Sequence, residues 1–110
     1  MKLFLPVHTK TPGNTRRHWR IESKEARLQR DAACLLVKCC KDKPPFPVKV
    51  TLTRCSPRSL DRQNMGGAMK HVIDGIADAY GVDDGDEKWE FVFCQKRQSL
   101  YGVEITIEAI

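Results

Sequence analysis

The chain has 110 residues, 41% of them apolar, which is enough for one hydrophobic core in a single domain spanning residues 1–110. Its formal net charge of +5 favours a polyanionic partner. The N-terminus lacks a secretory signal pattern and no apolar run approaches ~18 residues, so we expect neither export nor membrane insertion.

Six secondary-structure elements are predicted from the apolar patterns. In chain order they are a strand over 2–7, a helix from Glu22 to about Cys40, a strand over 48–55, a helix over 62–79, and strands over 89–95 and 101–108 joined as a hairpin by residues 96–100. The second helix has a regular apolar stripe, and Gly81 is predicted to cap its end. The order β-α-β-α-β-β predicts a compact α+β domain with two helices packed on one face of a small mixed sheet.

Charge is distributed unevenly along the sequence. Residues 1–60 carry 14 Lys and Arg against 4 Asp and Glu, whereas residues 61–110 carry 5 against 10. A basic half suits a polyanion and an acidic half suits a cation, although folding can interleave the two.

A basic segment in the first half is the best candidate for nucleic-acid binding. It contains Arg16, Arg17, His18, Trp19 and Arg20. Arginine makes bidentate contacts with phosphate, and Trp19 could stack on a base or sugar. The alternative is a solvated loop whose tryptophan anchors it in the core.

Acidic side chains lie on both sides of the second predicted helix. Asp61 and Asn64 come at its start, and Asp83, Asp84 and Asp86 follow its end. Clustered carboxylates repel one another unless a cation neutralises them, so Mg²⁺ or Mn²⁺ is a candidate ligand. The two groups are about 17 residues apart, roughly 25 Å along a helix, which argues against one shared site in a simple arrangement.

Each of these acidic residues also has a simpler interpretation. Asp61 or Asn64 could cap the helix, and aspartates are common in Gly-containing turns such as 83–86. Lys70 and Asp74 could form an ordinary ion pair at the i, i+4 spacing.

The five cysteines show no Cys-x-x-Cys pair and are odd in number, which favours free thiols in a reducing, cytoplasmic compartment.

Taken together, these segments resemble the RusA family of Holliday junction resolvases, especially its phage and prophage members. The family pattern is a basic segment after a Pro and an Asn, then Asp-x-Asp-Asn-Leu opening a helix, a Lys and an Asp on that helix, and an Asp-Asp pair. The corresponding segments here run from Pro12 to Arg17, from Leu60 to Met65, from Lys70 to Asp78, which contains Asp74, and from Gly81 to Asp86, which contains Asp83 and Asp84.

The resemblance implies a RusA-like fold and a homodimeric, metal-dependent endodeoxyribonuclease that nicks four-way DNA junctions in recombination and repair. It implies Asp61, Asp84 and Lys70 as catalytic residues, Mg²⁺ or Mn²⁺ as the cofactor, and no organic cofactor. The metal ligands would be Asp61 and Asp84, with Asp83 and Gln63 near the ion. The DNA-binding residues would be Asn14, Arg16, Arg17, Trp19 and Arg20. The protein would act in the cytoplasm of a bacterial or phage-infected cell.

One departure from the pattern affects the expected activity. Gln63 replaces the second acid of Asp-x-Asp-Asn. A neutral amide can bind a metal through its oxygen but contributes no charge, so metal binding and catalysis should weaken unless Asp83 or Asp86 compensates. The alternatives are therefore a junction- or duplex-binding protein without nuclease activity, and, less strongly supported, a basic phage protein that binds another protein.

Overall fold

The structure, a computed structural model, describes residues 1–9 and 19–110, without the side chains of residues 19–22. The described elements are β1 (Lys2–Leu5), α1 (Trp19–Lys38), β2 (Val48–Ser56), α2 (Arg62–Tyr80), β3 (Glu90–Arg97) and β4 (Gly102–Ala109). Within this part of the chain, neither helix is long and apolar enough to cross a membrane.

The predicted element order and the α+β class are confirmed. Two helices accompany one four-stranded mixed sheet, and most element boundaries shift by only one or two residues. Helix α1 begins three residues earlier than predicted, at Trp19, and ends at Lys38, ahead of the Pro44-Pro45 pair. All five cysteines are free thiols.

The predicted hairpin between the last two strands is wrong. The strand order is β1-β4-β2-β3, so β2 lies between β3 and β4. Strand β2 pairs in parallel with β3 and antiparallel with β4. The apolar face of β2 is completely buried, which favours a central position with a neighbour on each side. The segment after β3 crosses the end of β2, where the Gln98 amide donates to the Ser56 carbonyl over 3.1 Å.

The hydrophobic core lies between one face of the sheet and both helices. Alternate residues of the two central strands point to this face and are fully buried. Each such side chain contributes about 1.5–3 kcal/mol through burial. These residues are Val48, Val50, Leu52, Val103, Ile105 and Ile107.

The two helices approach each other most closely at Gly75. A Cβ atom at this position would overlap the Arg30 carbonyl oxygen and lie 2.7 Å from the Ala33 Cβ. Beside this crossing, the Arg30 guanidinium donates two hydrogen bonds to the Asp78 carboxylate, of 2.6 and 2.9 Å. The missing side chain of Gly75 therefore sets the distance between the helices and allows this ion pair to span them.

Candidate active site

Asp61 lies at the N-cap position of α2 with extended backbone angles, φ −63° and ψ 146°. Its exposed side chain makes no capping hydrogen bond, so the simpler interpretation of Asp61 as a side-chain cap is not supported. Gln63 is exposed in the first turn of the helix and Asn64 is half-buried.

The other end of α2 closes with a left-handed glycine, as predicted. Gly81 has φ 67° and ψ 25°, and its amide donates to the Asp78 carbonyl over 3.2 Å. The Val82 amide donates to the Ala77 carbonyl, also over 3.2 Å. This pair of bonds is a Schellman motif, which satisfies the last carbonyls and turns the chain away from the helix axis.

The acidic turn after Gly81 is anchored by Trp89. The indole Nε1 donates to the Asp83 carbonyl over 2.8 Å, and the Trp89 amide donates to the Asp86 carbonyl over 3.2 Å. The buried ring packs against Phe46, Tyr80 and Phe91, with centroid distances of 4.9, 5.6 and 5.2 Å. The acidic turn is thus attached to the edge of the core.

The anchored turn brings Asp84 back to the middle of α2, where it meets Lys70. The Lys70 Nζ lies 2.6 Å from Asp84 Oδ2 and 2.9 Å from Asp74 Oδ1. The hydrogen bond from Lys70 holds the pKa of Asp84 below its ordinary value, and the two carboxylates raise the pKa of Lys70. The Lys70 ammonium group therefore bridges the side chains of Asp74 and Asp84.

A cleft of about 240 Å³ opens beside this cluster. It is lined by Arg30, Asp74, Ala77, Asp78, Gly81, Val82, Asp83 and Asp84. Within the described residues, no group of three or more His, Cys, Asp or Glu side chains has the geometry to hold a metal ion.

The structure brings some of the predicted site residues together and keeps others apart. Lys70 and Asp84 are in contact, and Asp83 lines the same cleft. Asp61 is nine residues from Lys70 along α2, roughly 14 Å at 1.5 Å per residue. The return of the chain thus brings the acidic turn nearer to Asp61 than the length of the helix predicts, while about 14 Å of helix separates Asp61 from Lys70, the contact of Asp84.

The side chains of the predicted DNA-binding residues lie outside what the structure describes. Asn14, Arg16 and Arg17 fall between its two ranges, and the side chains of Trp19 and Arg20 are not described. Thr9, the last described residue before this segment, is buried and accepts hydrogen bonds from Arg54 of 3.1 Å at its hydroxyl and 3.2 Å at its carbonyl. The same guanidinium donates to the Arg58 carbonyl over 2.8 Å. Arg54 thus fixes Thr9 beside the loop that leads to Asp61.

Asp74 and Gln95 are two residues near the site that the sequence analysis did not single out as functional. Asp74 forms the expected ion pair with Lys70, but its side chain is only 16% exposed and faces the cleft. Two signals pointed to Asp74, namely its spacing of four residues from Lys70 and its position after Lys70 in the segment that resembles the family pattern. No sequence signal pointed to Gln95, because its contact with Leu60 depends on the pairing of β3.

Comparison with models of known protein families gives no match for this chain, and comparison with curated proteins gives no significant match.

Proposed function

We propose that this protein is a RusA-like, metal-dependent endodeoxyribonuclease that nicks four-way DNA junctions as a homodimer. Such an enzyme would work in recombination and repair in the cytoplasm of a bacterial or phage-infected cell. The α+β architecture, with two helices on a four-stranded mixed sheet, supports this proposal.

The observation that carries this proposal is the contact between Lys70 and Asp84. The resemblance assigns function to both residues, which are 14 positions apart, and hydropathy alone gives no reason for them to meet. Their side chains nevertheless form a 2.6 Å ion pair beside an open cleft. A structural surface ion pair would contribute only ~0–1 kcal/mol, so stability gives little reason to build a turn around it.

The chemistry of the cluster suits a hard cation. Asp74 and Asp84 already share one cationic group, the ammonium of Lys70, which shows that their oxygens converge on a positive charge. Asp84 and Asp61 would hold the ion, with Asp83 and Gln63 nearby. When bound, Mg²⁺ or Mn²⁺ supplies Lewis-acid polarisation of the scissile phosphate and activation of water.

Lys70 would stabilise the charge that develops on the phosphate or the leaving oxygen. An ammonium group has three N–H donors, and two of those on Lys70 are directed at Asp74 and Asp84. The third remains for a phosphate oxygen, and the side chain is 51% exposed, so a backbone phosphate can reach it.

A dimer would bring Asp61 of one chain close to Asp84 of the other. If α2 of one subunit lies beside the acidic turn of its partner, each site takes Asp61 from one chain and Asp84 from the other. A two-fold dimer then carries two equivalent sites, which suits a junction with paired equivalent strands.

The direct test is a gel assay with a labelled four-way junction and a matched linear duplex in Mg²⁺, Mn²⁺ or EDTA. We expect symmetric, metal-dependent nicking of the junction. Asp84→Asn should reduce nicking at least about a hundredfold, as for other losses of transition-state charge stabilisation. Asp42→Asn, which changes an exposed aspartate in the loop after α1, is the matched control and should leave nicking unchanged. Equal activity of the two variants would contradict the assigned role of Asp84.

Gln63 favours a second candidate function, junction binding without cleavage. Its neutral amide is exposed at the start of α2, two residues from Asp61, where the family pattern has an acid. Tight junction binding in the absence of nicking would support this alternative over the enzyme.

Replacing Gln63 with an acid distinguishes the two candidate functions, junction nicking and junction binding without cleavage. Gln63→Asp should increase the affinity for Mg²⁺ or the rate of nicking about tenfold, because a second carboxylate adds a charged oxygen ligand. Gln63→Asn is the control, since it keeps the amide and shortens the side chain to the length of aspartate. If Gln63→Asp changes neither metal affinity nor nicking, Gln63 lies outside the site.

A further inference from the structure

A groove of about 400 Å³ lies between the start of α2 and the edge strand β3, at the same end of the domain as Asp61. It is lined by Arg62, Met65, Phe93, Cys94 and Gln95. We refer to it as the Phe93 groove. It is separate from the acidic cleft, with which it shares no lining residue.

Phe93 provides an exposed aromatic ring in this groove. It pairs with Leu52 of β2 and points to the helix side of the sheet, but at the edge of the sheet it remains 38% exposed. Phe91, two residues earlier on the same face, instead packs against Trp89. The ring of Phe93 therefore offers an apolar surface to a ligand in the groove.

Gln95 gives the groove a fixed wall next to Asp61. Its side-chain amide donates to the Leu60 carbonyl and accepts from the Leu60 amide, both over 2.7 Å. These two bonds attach the residue that precedes Asp61 to strand β3. A ligand seated against Phe93 is thereby held in a defined position relative to the Asp61 carboxylate.

The surroundings of the groove are basic. Arg58, Arg62 and Arg97 are exposed, and none of them forms an ion pair with another described residue. Asp61 is the one acidic residue in the segments 52–62 and 91–99 at this end of the sheet, against the three exposed arginines. The positive charge around the Phe93 groove therefore complements a polyanion, whereas the negative charge of the acidic cleft does not.

We propose that the Phe93 groove binds one unpaired nucleotide of the DNA strand, with its base against the Phe93 ring. The phosphates on either side lie along Arg58, Arg62 and Arg97. A base in an intact duplex has both faces covered by its neighbours, so only an unstacked base can reach this ring. This inference rests on the proposed function and extends it, because a branch point is where a base can leave the stack.

The test uses the full-length protein and four-way junctions with 2-aminopurine, a fluorescent adenine analogue, at successive positions around the branch point. Binding is measured in EDTA, so that cleavage does not interfere. With the wild-type protein, fluorescence should change at one position only, and Phe93→Leu should abolish this signal. Junction affinity should fall about five- to 150-fold, the range for loss of one base–aromatic stack, and affinity for the linear duplex should stay unchanged.

Two further variants serve as controls. Phe93→Tyr retains the ring and should keep both affinity and signal. Phe4→Leu removes an equally exposed ring, 43% exposed, that packs over Gly102 on the opposite face of the sheet, and should change neither. Thermal unfolding of each variant shows whether the fold is retained.

Three results would overturn the inference. Phe93→Leu could bind the junction like the wild type, with the same fluorescence signal. It could weaken junction and duplex equally, which would place paired DNA at the groove. It could also dissociate a dimer in sedimentation, which would make the groove a contact between copies of the chain. A wild-type protein that binds no DNA would overturn both this inference and the proposed function, whereas nicking with an unaffected Phe93→Leu would overturn the inference alone.

Discussion

Gly75→Ala is expected to destabilise the domain by about 2–3 kcal/mol, near the upper end of the usual range for overpacking a core. The added methyl group would overlap the Arg30 carbonyl oxygen, lie 2.7 Å from the Ala33 Cβ and lie 3.0 Å from the Cys34 amide nitrogen. Two of these three atoms belong to the backbone of α1, so the helices must separate to admit it. Separation also weakens the contacts that both helices make with the sheet.

Gly66→Ala is the matched control on the same helix. A Cβ atom at position 66 would meet no other atom within 4 Å. Alanine is favoured over glycine in a helix by roughly 0.5–1 kcal/mol, so this variant should be slightly more stable than the wild type. Urea unfolding of the three proteins measures both changes. Equal stability of Gly75→Ala and the wild type would mean that the two helices are not in close contact at this position.

The helix and strand pattern was largely predictable because it depends on local periodicity. The apolar stripe of α2 extends from Met65 to Tyr80, and the helix occupies Arg62–Tyr80. Gly81 was predictable as the cap because glycine readily adopts the left-handed conformation found there.

The order of strands was not predictable from the same pattern. Two short strands joined by five residues favour a hairpin, and the sequence of β3 and β4 fits one. The observed order depends instead on which strands bury the most apolar surface in the centre of the sheet. The inward-facing apolar residues of both β2 and β4 are fully buried, so these two strands occupy the centre of the sheet and pair with each other, and β3 pairs with the other side of β2 at the edge.

The candidate site was predictable in part. The spacing of four residues between Lys70 and Asp74 predicts their contact on one face of a helix. The contact with Asp84 depends on the Schellman motif at Gly81 and on the hydrogen bond from Trp89 to Asp83, which only the tertiary structure combines. The resemblance supplied Asp84 as a functional residue, and the structure supplies its neighbours.

Mixing two inactive variants is expected to restore nicking if each site combines acids from two chains. In a mixed dimer of Asp61→Asn and Asp84→Asn, one site contains both substitutions and the other contains neither. Random reassortment makes about half of the dimers mixed, with one intact site in two, so about a quarter of the wild-type sites should be intact. Either variant alone has one substitution in every site and should remain inactive.

The reciprocal mixture is the control. Wild type combined with the double variant Asp61→Asn/Asp84→Asn gives mixed dimers with one substitution in each site. If the sites are shared, these mixed dimers are inactive. If each chain carries its own complete site, they retain one intact site, and the first mixture stays inactive instead.

The most direct test is therefore junction nicking in Mg²⁺ by these two mixtures, after unfolding and refolding the chains together. Shared sites predict about a quarter of the wild-type nicking in both mixtures, which in the second mixture comes from the wild-type homodimers alone because its mixed dimers are inactive. No nicking in the first mixture, together with about half of the wild-type nicking in the second, would contradict a site built from Asp61 of one chain and Asp84 of its partner.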